Sequence, residues 1–128
     1  MSRISNAFFA AAVLYLLAGI GLGVFMGASS DHTLRPLHAH INLLGWASLG
    51  LMGAFYGVAG ERAGARLGWA IFIVCNLGNL ALLSSLYVIL TGGKPLLPVL
   101  IGSQFAIVLG VLMFGASVFL AGRRPAAA

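Results

Sequence analysis

Two histidines stand two residues apart in Leu34-Arg35-Pro36-Leu37-His38-Ala39-His40-Ile41-Asn42, at the mouth of a long apolar run. The third histidine, His32, lies just upstream in a polar stretch. Imidazoles set into lipid are costly and tend to serve a function. They are also the commonest metal ligands in proteins. Pro36 suits the first turn of a helix, where a missing N–H costs nothing. On such a helix His38 and His40 lie roughly 3 and 6 Å along the axis. Residues two apart on a helix point to nearly opposite sides. The pair is therefore poorly placed to grip one ion together, which argues against a mononuclear zinc centre with three or four converging ligands. It suits two axial ligands, each facing its own pocket. The competing reading is that of hydrogen-bonded polar groups at a membrane interface. Asn42 lies one turn below His38. Arg35, one turn above, is placed to pair with a carboxylate of a bound group or to anchor at the headgroups. Lys94 has a similar claim.

The elements that carry these residues are membrane spans. Of 128 residues 61% are hydrophobic and 7% charged, with a mean hydropathy of +1.07. Soluble domains carry roughly 25% charged residues, so this chain has too few to cover a water-facing surface. Crossing the hydrocarbon takes about 20 apolar residues per helix. Four segments qualify, at about 6–28, 38–59, 67–90 and 97–121. Ser29 to Pro36, Gly60 to Arg66, and Thr91 to Pro95 punctuate them, and Arg123-Arg124-Pro125 closes the last. The expectation is an all-α integral membrane protein: one domain, a four-transmembrane-helix bundle over 1–128, and oligomeric. The first segment has features of a signal peptide, but its apolar stretch exceeds the roughly 7–15 residues of a secretory core, so it is read as a retained helix. Arg3, Arg62, Arg66, Arg123 and Arg124 share one side of the membrane, and Arg35 and Lys94 the other. By the positive-inside bias both termini are cytoplasmic and all three histidines lie at the outer face. This asymmetry accounts for the net charge of +5 without a nucleic-acid partner.

Other polar residues in the spans have a packing explanation. Asn76, Asn79, Ser84 and Ser85 in the third span, and Ser103, Gln104 and Ser117 in the fourth, are read as interhelical hydrogen-bonders, with a hydrated path as the alternative. Gly19, Gly23 and Gly27, and Gly53 and Gly57, form stripes spaced by four that let helices approach closely. They serve packing within one bundle, subunit contact, or the approach of a flat cofactor. Trp46, Trp69, Tyr56 and Tyr87 are read as packing or belt residues. Cys75 has no intrachain partner, and no nucleotide loop or catalytic triad is visible.

The run Pro36 to Trp46, followed by Leu49-Gly50-Leu51-Met52-Gly53-Ala54-Phe55-Tyr56, resembles the second helix of subunit I of the haem-copper oxidase superfamily, most closely in its nitric oxide reductase and C-family oxidase branches. In that family a histidine at this place is an axial ligand of the low-spin haem. Arg35-Pro36-Leu37-His38 matches one branch with His38 as ligand, and His40-Ile41-Asn42-Leu43-Leu44 matches another with His40. The resemblance implies haem b, with copper as an alternative metal, and site residues His38, His40, Arg35 and Asn42, the two histidines as metal ligands. The departures are large. The chain lacks the copper-site helix with its His-Pro-Glu-Val-Tyr-like motif and a second histidine pair. Asp31 and Glu61 both fall in loops, so no carboxylate stands inside a span to relay protons. The family's subunit is built as three four-helix arcs about a pseudo-threefold axis. One such chain corresponds to one arc, and three copies would rebuild the ring, with His38 of one chain and His40 of the next clamping one haem.

The leading expectation is a haem b-binding protein of a bacterial inner membrane, acting in electron transfer or in binding O2 or NO, and forming a homo-oligomer, a trimer by preference. Turnover, if any, would be oxidoreductase chemistry; no catalytic residue is assigned. The alternatives are an outer-face copper- or zinc-handling protein and an oxidase assembly factor without haem.

Overall fold

The structure, a computed structural model, describes residues 1–123; Arg124 and Pro125 lie outside the described residues. Those residues form four helices long and apolar enough to cross a membrane, and no strand. The first span is Arg3–Ser29. Ser2 caps it by accepting the Ser5 N–H at 3.2 Å, and Ser30 ends it in the left-handed region, φ 56°. In the connection that follows, the Thr33 hydroxyl and N–H both donate to Asp31, at 2.6 and 2.9 Å, and hold its carboxyl below the ordinary carboxylate range. The second span covers Arg35–Ala63, the third Ala65–Leu90 and the fourth Leu97–Arg123.

The connection between the second and third spans is tighter than the composition suggests. The stretch from Gly60, read as loop, continues as a turn of 3-10 helix over Gly60–Ala63. Only Gly64, at φ 73°, then separates the second and third spans. A left-handed residue there reverses the chain in one step, and glycine adopts it without a Cβ penalty.

The second span packs most extensively on the first, and the third on the fourth, so the bundle is two helical hairpins set side by side. The best-filled core lies at the end carrying the N-terminus. Phe8, Leu49, Tyr56 and Ile71 are fully buried there. The Phe8 and Tyr56 rings stack at 5.6 Å, and Phe72 meets Phe8 edge-on at 5.3 Å. Tyr56 Oη and Ser117 Oγ share a hydrogen bond of 2.8 Å, and Ser117 also donates to the Ala63 carbonyl at 3.2 Å. Ser5 Oγ donates to the Gly53 carbonyl at 2.8 Å. Measured interhelical hydrogen bonds in membranes average about 0.6 kcal/mol, so these bonds fix register more than they add stability.

Only some of the polar span residues bridge helices. Ser117 and Asn79 do, while Asn76, Ser84 and Ser103 donate to carbonyls of their own helices, at Phe72, Ala81 and Leu100. The glycine stripes sort in the same way. Gly19 and Gly23 face the second span, and Gly53 and Gly57 face Phe8, Phe9 and Ser5 of the first; Gly27 faces open space. The outside of the bundle is apolar: Val58 is 84% exposed, Phe105 72% and Leu51 71%. Such a surface suits hydrocarbon and not water, so the environment is a lipid bilayer crossed several times.

Candidate functional site

His38 lies in the seam between the first and second spans. The second span opens as α-helix over Arg35–His40, with Pro36 in its first turn. This aims the half-buried His38 ring at the first span, where Nδ1 lies 2.9 Å from the Gly19 carbonyl. A carbonyl only accepts, so Nδ1 carries the proton and Nε2 keeps its lone pair. On that side Asn42 Nδ2 stands 3.4 Å from Nε2, and it donates to the His38 carbonyl at 2.9 Å. The seam is closed by glycine. A Cβ on Gly23 would stand 3.1 Å from His38 Cε1, and one on Gly19 would stand 2.7 Å from the Asn42 amide.

His40 has the opposite environment. It is exposed, and its Nδ1 lies 2.8 Å from the Pro36 carbonyl, one turn back on its own helix. The same reasoning places the proton on Nδ1 and the lone pair on Nε2, which has no hydrogen-bond partner among the described residues. The structure thus does not bring the two rings to one point: one is seated in the helix seam and the other is on the outside. Arg35 is exposed and forms no ion pair among the described residues. His32 is exposed, with Nδ1 at 3.3 Å from the Ser30 carbonyl. No group of three or more His, Cys, Asp or Glu side chains that could hold a metal ion converges among the described residues.

Directly below the histidines the helix widens. Ile41–Ala47 is a seven-residue π-helix, where the apolar pattern predicts ordinary α-helix. Side chains occupy the displaced carbonyls. Ser48 Oγ donates to the Leu43 carbonyl at 2.8 Å, which also takes the Ser48 N–H. From the third span, Asn79 Nδ2 donates to the Leu44 carbonyl at 3.0 Å. Gly45 is buried against Tyr15, and a Cβ there would enter the space of that ring. Insertions into the i→i−4 ladder of this sort cause such distortions, and π segments recur at functional sites. No residue type in Ile41–Ala47 announces this. Gly45 and Asn79 hint at it only once Tyr15 and the Leu44 carbonyl are known to be their neighbours.

Along the exposed side of the same span, Trp46, Ala47, Gly50 and Leu51 form with Phe9 a shallow groove of about 360 Å³. Its wall contains no histidine, and a Cβ on Gly50 would meet nothing within 4 Å. Comparison of the chain with protein-family models, with curated proteins and with solved structures gives no match.

Proposed function

We propose that this chain is a multi-pass, haem b-binding protein of a bacterial cytoplasmic membrane, with His40 as an axial ligand at an interface between copies. The observation that carries the reading is the His40 ring, with its Nδ1–H given to the Pro36 carbonyl and its Nε2 lone pair facing outward. Ligating histidines almost always donate their other N–H to a carbonyl, carboxylate or water, which fixes tautomer and ring orientation. The donor set fits a single axial bond to a group lying outside the chain's own bundle. It does not fit a zinc cage, for want of converging ligands. The His38-Ala39-His40 resemblance to haem-copper oxidase subunit I supports iron porphyrin as that group.

His38 is the second ligand in this reading, from a neighbouring copy. Its Nε2 becomes available when the Asn42 amide turns away, while the Gly19 carbonyl keeps the ring in place. Arg35, exposed one turn above, is the residue suited to a propionate. A bound haem would supply a one-electron couple or a site for O2 or NO. The chain itself holds the ligand tautomers and offers an apolar wall, and its two acidic side chains, Asp31 and Glu61, stand in the first connection and in the last turn of the second span. The basic residues at the N-terminal end, Arg3, Arg62, Arg66 and Arg123, support a cytoplasmic position for that end under the positive-inside rule. The histidines then stand at the outer face.

The test is an absorbance spectrum of the purified protein, oxidised and dithionite-reduced. A Soret band with reducible α bands is expected. Metal without porphyrin would support copper or zinc handling instead, and neither would leave the histidines as interfacial polar groups.

A further inference from the structure

We propose that the pocket between the outer-face ends of the third and fourth spans binds the phosphate of an anionic phospholipid. Ser85, Val88, Lys94, Pro95, Leu96 and Val99 surround a space of about 190 Å³. Ser85 is 5% exposed, yet its hydroxyl makes no hydrogen bond among the described residues. Its neighbour Ser84 donates to its own helix, to the Ala81 carbonyl at 3.0 Å. No fully buried side-chain oxygen is left unpaired among the described residues, so the Ser85 hydroxyl keeps its access through this pocket. A nearly buried hydroxyl that makes no bond to its own helix calls for a partner, and the pocket is the side from which one can reach it.

Lys94 supplies the charge. It is exposed and has no carboxylate partner among the described residues. The fourth span starts at Leu97, so the positive end of its dipole adds to the Lys94 ammonium. The backbone of the turn offers less, since the Gly92 and Gly93 N–H groups are spent on the Ile89 and Val88 carbonyls. One ammonium and one hydroxyl over Val88, Pro95, Leu96 and Val99 match a phosphate joined to a glycerol and acyl chains. A free inorganic anion would leave those apolar walls without a partner. The pocket lies at the ends of two spans, where lipid headgroups are concentrated. This inference does not rest on haem binding, because no histidine lines the pocket.

The experiment is native mass spectrometry of the full chain, prepared haem-free in mild detergent, with added phosphatidylglycerol or with inorganic phosphate alone. The wild type is expected to retain phosphatidylglycerol. Lys94→Gln is expected to lower its occupancy about tenfold, as for loss of a charge-assisted bond. Ser85→Ala is expected to lower it about threefold, as for a weaker neutral bond. Lys94 is exposed, so its variant folds as the parent does and keeps the test decisive. Equal retention by the wild type and both variants would overturn the site. Displacement of the lipid by equimolar inorganic phosphate would overturn the lipid as occupant. Loss of the lipid on addition of haem would do the same, in favour of a propionate.

Discussion

At the residue scale, the two histidines differ in what their removal costs. The His40 hydrogen bond stays within its own helix, whereas the His38 bond ties the second span to the first. His40→Ala is therefore expected to remove most haem with little change in thermal stability. His38→Ala is expected to remove most haem and also to cost about 1 kcal/mol, the usual net worth of one hydrogen bond. His32→Ala should change neither, because its ring lies in the exposed connection, hydrogen-bonded to the Ser30 carbonyl and beside Asp31, away from the spans. Haem per chain by pyridine haemochrome, read beside a melting curve, checks all three. Full occupancy in the double variant His38→Ala/His40→Ala would end the axial-ligand reading.

At the element scale, the π segment is the part of the second span most dependent on its neighbours. Gly45 has the first span against it, and Asn79 reaches the Leu44 carbonyl from the third. Gly45→Ala puts a methyl group where Tyr15 already stands, and overpacking of this kind costs about 1–3 kcal/mol. Asn79→Leu removes the donor to Leu44 and should cost on the order of 1 kcal/mol, near the upper part of the range for hydrogen bonds in membranes. Unfolding in mixed detergent micelles would measure both. If Gly45→Ala matches the wild type, the first span does not pin the widened turn. Gly50→Ala is the internal control, since its Cβ would meet nothing within 4 Å, and it should be silent in stability.

At the scale of the whole molecule, topology and copy number are the open quantities with direct tests. Cysteines introduced at Ser30 and Gly64, which lie at opposite ends of the bundle, should label from opposite sides of the membrane. Ser30 is expected to react with an impermeant reagent from outside and Gly64 only after permeabilisation; the reverse pattern would invert the proposed orientation. The native Cys75 is buried and does not interfere. Mass measured in mild detergent is expected to report a homo-oligomer, with the trimer as the preferred count. A haem-loaded monomer would show that one chain supplies every ligand and would remove the shared site.

Much of this protein is legible in its residues alone. Apolar length and sparse charge require membrane helices, because lipid cannot satisfy an open backbone. The four spans follow from that, with ends within a few residues of those observed. Pro36 marks where the second span begins, since it acts through its own backbone, whereas the Ser2 cap and the Gly64 reversal emerge only in the structure. The outward and seam-facing positions of His38 and His40 have the same local origin, two residues of helical rotation. What only the tertiary structure decided depends on contacts between distant residues. The Gly19 carbonyl becomes the anchor of His38 only when the first span lies against the second. Likewise, the helix widens over Ile41–Ala47 only where Tyr15 and Asn79 press on it from other spans. Local sequence sets the period of a helix. It carries no record of which carbonyl a side chain 35 residues away will claim.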